Sequence, residues 1–167
     1  FTREGYFKKI TPQSLRMSSV HKLKEGDEVV QTVEANNRCD LLFFTDKGTV
    51  YKAKAADFGD TKASVLGDFV AGKLGFEEGE SAAFMAVTLD YSGYLLFFFE
   101  NGKAAKVEFA AYATKTNRRK LVGAYSDKSP LIAMYSVPED GEFLLTGTSG
   151  RRVVVHTGGI GPKTTRS

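Results

Sequence analysis

The amino-acid sequence predicts an all-β protein built from repeated four-stranded blades, as in a β-propeller. Three observations support this prediction. A β-hairpin pattern recurs along the 167 residues, each copy contains a turn glycine, and no long segment carries the 3.6-residue apolar period of a helix. The composition agrees, because the 13 Phe, 7 Tyr and 17 Gly are residue types that favour strands and tight turns.

The repeat aligns on four glycines, each of which begins a strand-forming segment. These segments read GYFKKITPQSL from Gly5, GTVYKAKAADF from Gly48, GKAAKVEFAAY from Gly102 and GRRVVVHTGGI from Gly150. The last three follow an apolar strand, and glycine at the end of such a turn adopts positive φ at little cost. We therefore predict hairpin turns at all four glycines, with most of the first hairpin's leading strand missing.

A second strand pattern lies between the hairpins. It reads KLKEGDEVVQTV from Lys22, KLGFEEGESAAFMAV from Lys73 and VGAYSDKSPLIAMYSV from Val122. Each repeat then holds about four short strands, which is the content of one propeller blade. The sequence predicts a single domain over residues 1–167 with about three and a half repeats. Because closed propellers have about 4 to 8 blades, we expect a partial ring or a trimmed fragment.

Apolar alternation predicts the core of each blade. Phe43, Phe97, Phe99 and Leu145 occupy the positions expected to be buried, and the run 97–99 is typical of a strand covered on both faces. One short helical turn is predicted over 53–58. The 42% of apolar residues would thus form one wedge of core per blade.

The formal net charge of +3 conceals an uneven distribution. Residues 57–90 contain seven acidic side chains and two lysines, whereas residues 101–126 contain six basic side chains and one acidic. Residues 150–167 contain four basic side chains and no acidic one. Such basic segments are suited to a polyanionic partner.

Much of this basic charge recurs in the polar segment that follows each hairpin. The segments read RMSSVHKL, DTKASVLGDFVAGKL, ATKTNRRKL and GPKTTRS. Lysine and arginine beside Ser, Thr and Asn suit a phosphate backbone, because cations displace condensed counterions and short polar groups donate hydrogen bonds to phosphate. We expect these loops to lie along one edge of the domain and to bind bent duplex DNA. The predicted DNA-binding residues are Arg16, Lys22, Lys62, Lys115, Arg118, Arg119, Lys120, Lys163 and Arg166. A second set, carried by the hairpins, comprises Lys8, Lys9, Lys52 and Lys106.

The sequence contains no recognisable catalytic or metal-binding pattern. His21 and His156 lack His or Cys neighbours at ligand spacing, which argues against zinc. The glycine-rich stretch 158–165 has a proline between its glycine and lysine and precedes no helix, unlike a phosphate-binding loop. The acidic group Glu77, Glu78 and Glu80 is typical of a turn. We therefore expect no catalytic residue, no metal and no cofactor in this chain.

The cellular location follows from two weaker signals. Cys39 is the single cysteine, so the chain forms no internal disulfide, as is usual in a reducing compartment. No stretch reaches the roughly 20 apolar residues that span a bilayer. We expect a cytoplasmic protein that contacts no membrane.

Several segments together resemble a known family. The segments EGYFKKI, LKEGDEVV, LLFFTDKGTVYKAKAADF, LLFFFENGKAAKVE and PKTTRS resemble the C-terminal domain of the A subunit of bacterial type IIA topoisomerases, DNA gyrase and topoisomerase IV. The resemblance covers essentially the whole chain. It implies a β-pinwheel, a ring of propeller-like blades whose basic edge binds and bends duplex DNA without sequence specificity, in the bacterial nucleoid.

The resemblance also implies a role within a larger enzyme. Strand passage would be carried out by other parts of the A subunit with its dimer partner and by the B subunit, which uses ATP with Mg²⁺. Gyrase carries a basic box, QRRGGKG, in its first blade, whereas the corresponding stretch here reads RMSSVHKL. This difference favours a topoisomerase IV-like protein, which relaxes and decatenates, over a gyrase, which wraps DNA for negative supercoiling. A propeller-type scaffold for protein interactions is a further alternative.

Overall fold

The protein is described from a computed structural model that covers residues 1–18, 20–116 and 118–166. Ser19, Asn117 and Ser167, which belong to three of the polar segments, lie outside the described residues. The strands are β1 (Tyr6–Phe7), β2 (Lys9–Ile10), β3 (Asp40–Thr45), β4 (Val50–Lys54), β5 (Asp60–Thr61), β6 (Asp68–Phe69), β7 (Ala82–Thr88), β8 (Tyr94–Phe99), β9 (Ala104–Glu108), β10 (Lys120–Leu121), β11 (Leu131–Val137), β12 (Glu142–Thr146), β13 (Arg152–His156) and β14 (Pro162–Lys163). The helices are α1 (Pro12–Met17) and α2 (Val70–Leu74), with 3₁₀ turns at Ala55–Asp57, Phe109–Tyr112 and Thr157–Gly159.

The chain forms two compact units. The first comprises Phe1–Asp90 and Thr116–Val122, and the second comprises Tyr91–Lys115 and Gly123–Ser167. Each unit contains one four-stranded sheet. The sheet of the first unit is antiparallel, in the order β10-β4-β3-β7, and that of the second is mixed, in the order β11-β8-β9-β14. The prediction of four-stranded blades is thereby confirmed.

The hairpins form where the sequence predicts them. β3 pairs with β4, β8 with β9, and β12 with β13, all antiparallel. The glycines at the turns have φ of +72° at Gly48, +78° at Gly102 and +80° at Gly150, a region that side-chain-bearing residues seldom adopt. Gly5 has the same backbone geometry, at +85°.

The core of the first unit is aromatic. Phe43 of β3 is fully buried, and its ring lies 5.8 Å from that of Phe7, which in turn lies 4.7 Å from Phe58. In the second unit Phe97 and Phe99 are buried together with Phe98 between them, so this strand is covered on both faces as predicted.

Leu145 departs from the prediction and is only half-buried. Its strand β12 pairs with β13 alone among the described residues. Adjacent side chains are also exposed, Leu144 by 61% and Val154 by 58%. A two-stranded sheet has no neighbouring strands to cover its apolar side chains, which explains the difference.

One further prediction was wrong, and one feature of the fold was not predicted. Residues 22–33, expected to contain a strand, form a single bridge between Thr2 and Val29, and Val29, Val30 and Val33 are exposed. The two short helices were not predicted at all. α1 begins after Thr11, whose hydroxyl accepts a hydrogen bond from the Ser14 amide at 3.3 Å, an N-cap that the Thr-Pro pair could have indicated.

Candidate nucleic-acid interface

The polar segments begin at equivalent points of successive repeats. Seven residues after the turn glycine, a backbone amide donates to the carbonyl nine residues before that glycine. The pairs are Ala55 to Cys39 at 2.9 Å, Phe109 to Gly93 at 2.9 Å, and Thr157 to Gly141 at 2.8 Å. A 3₁₀ turn starts at each of these donors, and α1 starts at the matching position of the first repeat. The recurrence of the basic loops is therefore built into the backbone.

In two of the repeats, a short strand then joins the loop to the preceding repeat. In the first unit β5 runs parallel to β2, with Asp60 opposite Lys9. In the second unit β14 runs parallel to β9, with Lys163 opposite Val107. Both strands lie 12 and 13 residues after their turn glycine, so neighbouring repeats are joined in the same way in each unit.

The loops of the first two repeats meet in the first unit. The Lys22 amide donates to the carbonyl of Ala63 at 2.8 Å, which brings Lys22 beside the loop that carries Lys62. The Lys8 ammonium links the two loops, because it donates hydrogen bonds to the carbonyls of Lys22 at 2.9 Å and Ala63 at 3.0 Å. Arg16, in the last turn of α1, is exposed on the same polar segment as Lys22.

Three of these basic side chains project into solvent. Arg16, Lys22 and Lys62 are exposed, and none forms an ion pair with any residue that the structure describes. Side chains of this kind can contact an external phosphate.

A second basic group in the first unit lies on and before β10. The Lys52 amide of β4 donates to the carbonyl of Arg119 at 2.7 Å, and Leu121 is buried. Arg118 and Arg119 are exposed and, among the described residues, pair with no carboxylate. Lys120 differs, because its ammonium lies 2.6 Å from Glu77 Oε1. The hydrogen bond that its ammonium donates to this carboxylate raises the pKa of Lys120.

The predicted residues of the second unit divide in the same way. Lys115 and Lys163 are exposed. Arg166 is half-buried, and its Nη1 donates to the carbonyl of Ala111 at 3.1 Å. Lys115 and Lys163 are therefore available to a ligand, whereas part of the Arg166 guanidinium is used within the fold.

The hairpin lysines serve chiefly as internal ties. Lys106 is buried, and its ammonium donates to Asp140 Oδ1 at 2.8 Å and to the Thr157 carbonyl at 3.0 Å. Lys9 occupies the same repeat position and donates to the Ala55 carbonyl at 3.2 Å and to Asn37 at 2.8 Å. Lys52 is half-buried. Burial lowers the pKa of Lys8.

These contacts separate two classes of lysine that the sequence does not distinguish. Lys8, Lys9 and Lys106 donate to backbone carbonyls of the protein, so their ammonium groups are engaged before any ligand arrives. Seven exposed side chains remain as candidates for binding: Arg16, Lys22, Lys62, Arg118 and Arg119 in the first unit, and Lys115 and Lys163 in the second.

The ion pair between Lys120 and Glu77 was not predicted from the sequence. Glu77 and Glu80 lie in a turn, as predicted, with the Glu80 amide donating to the Glu77 carbonyl at 3.1 Å. The same turn contacts Tyr51 and Lys120, which are distant in sequence. No local signal marks this contact, because 43 residues separate Glu77 from Lys120.

The described residues hold no group of three or more His, Cys, Asp or Glu arranged for a metal ion. Within the same residues, neither of the helices has the length and apolar character needed to cross a membrane.

Comparison with solved structures defines the class of fold. The C-terminal domain of DNA topoisomerase IV superposes with a TM-score of 0.80 at 23% identity, over 99% of this chain and 53% of that one. The E. coli ParC C-terminal domain gives a TM-score of 0.68 at 14% identity, over 99% of this chain and 68% of that one. The fold is that of a C-terminal β-pinwheel domain.

Sequence comparison identifies the relatives. The chain is 27% identical over 125 residues to the A subunit of DNA topoisomerase 4 from Bacillus subtilis, which is 72% of this chain and 16% of that protein. It is 32% identical over 120 residues to the A subunit of DNA gyrase from Streptomyces coelicolor, which is 66% of this chain and 14% of that protein. No family model matches. The chain is thus a homologue of the C-terminal portion of topoisomerase IV and gyrase A subunits, which confirms the resemblance seen in its sequence.

Proposed function

We propose that this chain binds duplex DNA, without regard to sequence, as the C-terminal DNA-binding domain of the A subunit of a bacterial type IIA topoisomerase. The observation that carries the proposal is a set of exposed basic side chains that form no ion pair within the described part of the chain. They lie on loops that begin at the same point of each repeat. Homology to A subunits supports it independently. The chain spans less than a fifth of the length of these curated relatives, so the rest of the enzyme is part of the proposal.

The proposed binding uses phosphate contacts. Lys22 and Lys62 lie on adjoining loops and can address the same stretch of backbone, while Arg118 and Arg119 offer planar guanidinium groups that can each contact a phosphate through two donors. Phosphate contacts fix the position of DNA but carry no base information. Affinity should then be independent of sequence and should fall with added salt.

In the proposed enzyme this domain is not catalytic. It holds and bends a DNA segment that the remainder of the A-subunit dimer and the B subunit pass through a double-strand break, with ATP and Mg²⁺ used there. We place the activity in the cytoplasm, at the nucleoid. The proposal favours topoisomerase IV-like relaxation and decatenation, because the first polar loop reads RMSSVHKL where gyrase carries its basic, glycine-rich box.

Titration of fluorescent duplexes of unrelated sequence tests the proposal. We expect dissociation constants between about 1 and 100 µM near physiological salt, the range of non-specific DNA binding, and agreement within about threefold between sequences. Energy transfer between dyes on the two duplex ends should rise on binding, because the ends approach when DNA bends. Absence of binding, or strong preference for one sequence, would contradict the proposal.

A further inference from the structure

We infer that Glu77 and Glu80 are positioning residues of the DNA interface: through Lys120 and Tyr51 they hold the segment that presents Arg118 and Arg119. This inference rests on the proposed function. It assigns a supporting role to two acidic side chains that charge alone would place against DNA binding.

The turn that carries Glu77 is fixed by Glu80. The Glu80 carboxylate accepts hydrogen bonds from the Tyr51 hydroxyl at 2.7 Å, the Thr45 hydroxyl at 3.1 Å and the Glu77 amide at 3.1 Å. Phe76 stacks on the Tyr51 ring, with 4.1 Å between ring centroids. The turn therefore has a defined place against β3 and β4.

Lys120 binds to this turn. Its ammonium lies 2.6 Å from Glu77 Oε1 and 5.6 Å from the centroid of the buried Tyr51 ring. The carboxylate and the ring face together provide an anion and a cation–π surface for one lysine. Lys120 is thus an anchor, in contrast to the phosphate-binding role that its place in the sequence indicates.

The contacts of Lys120 affect Arg118 and Arg119 through the backbone that the three residues share. β10 is held to β4 by two residues, with Lys120 opposite Tyr51 and Leu121 opposite Val50. A strand of two residues has few hydrogen bonds of its own, so a side-chain contact at one of its two positions matters to its order. When the strand is ordered, the backbone that carries Arg118 and Arg119 is held in place. Less conformational entropy is then lost when the two side chains bind phosphate.

The direction in which a substitution changes DNA affinity distinguishes a positioning role from a simple effect of charge. Removing a carboxylate near a DNA site ordinarily strengthens binding, because one repulsive charge disappears. If Glu77 positions the arginines, Glu77→Gln must weaken binding instead. Glu78 gives a matched control, because it is an exposed glutamate in the same turn without a hydrogen bond or ion pair to the described residues.

The experiment measures duplex DNA affinity at about 0.1 M salt for Glu77→Gln and Glu78→Gln. We expect Glu77→Gln to weaken binding about three- to fivefold, the scale of an exposed ion pair, and Glu78→Gln to leave it unchanged or tighten it up to about twofold. Adding Lys120→Met to Glu77→Gln should cost little more, because both substitutions break the same contact. Equal tightening by both glutamate variants would overturn the inference.

Amide hydrogen exchange of the DNA-free protein provides a readout that does not depend on binding. The Lys52 amide, which donates to Arg119, should exchange faster in Glu77→Gln than in Glu78→Gln. Equal exchange in the two variants would overturn the positioning role whatever the DNA result. If the wild-type chain bound no duplex DNA, the proposed function would fail, and exchange alone would decide whether Glu77 holds the segment.

Discussion

Replacing Lys22, Lys62, Arg118 and Arg119 together with glutamine is expected to weaken duplex DNA binding at least about 30-fold at 0.1 M salt. All four side chains are exposed in the first unit and make no internal ion pair among the described residues. Glutamine keeps polarity and much of the side-chain length but removes the charge that displaces counterions. Fluorescence anisotropy with a duplex of about 20 base pairs measures the change, and circular dichroism checks that the variant remains folded.

The matched control removes the same charge elsewhere. Lys103, Lys128, Arg151 and Arg152 are exposed basic residues of the second unit outside the polar loops. Their combined replacement by glutamine should cost less than about fivefold, because only long-range attraction is lost. If both quadruple variants lost affinity equally, net charge rather than the loops would govern binding.

Lys106→Met is expected to lower the free energy of unfolding by about 2 kcal/mol. The ammonium is buried and donates to Asp140 and to the Thr157 carbonyl, and it lies 5.1 Å from the centroid of the Tyr94 ring. Methionine fills a similar volume but cannot donate to either oxygen. Because Asp140 is partly exposed, water can satisfy its carboxylate, which keeps the loss below that of a fully buried pair.

Urea unfolding of Lys106→Met and of Lys103→Met tests whether Lys106 stabilises the fold or contacts phosphate. Lys103 lies on the same hairpin and is exposed, so its replacement should change stability by less than about 0.5 kcal/mol. A Lys106→Met variant with unchanged stability and weakened DNA binding would show that this lysine contacts phosphate after all.

The hairpins could be predicted because local chemistry determines them. A glycine with φ near +75° and an apolar alternation on either side need no information from distant residues, so Gly48 and Gly102 were sufficient to place β3–β4 and β8–β9. Leu145 could not be placed correctly, since its burial depends on which strands flank β12. The 22–33 segment has β-branched valines, but their pairing is a tertiary property, and only Val29 finds a bridge.

The candidate interface was likewise predictable where local sequence determines it and not where it depends on tertiary packing. Its recurrence was visible in the spacing from each turn glycine, and the contact between the Lys22 amide and the Ala63 carbonyl brings two of the predicted loops together. The sequence could not tell Lys106 from Lys103, because β9 is covered on both faces near Val107 and simple alternation fails there. Nor could it pair Lys120 with Glu77, which only the packing of β10 against β4 brings together.

The salt dependence of duplex DNA binding by the unmodified chain tests the central claim most directly. For B-DNA, log Kobs falls with log salt by about 0.9 for each phosphate neutralised. With Lys22, Lys62, Arg118 and Arg119 each engaging one phosphate, we expect a slope near −3.6 and a loss of at least about 100-fold between 50 and 200 mM NaCl. An affinity that stays constant over this range would contradict phosphate binding by the basic loops and would favour a scaffold for protein partners.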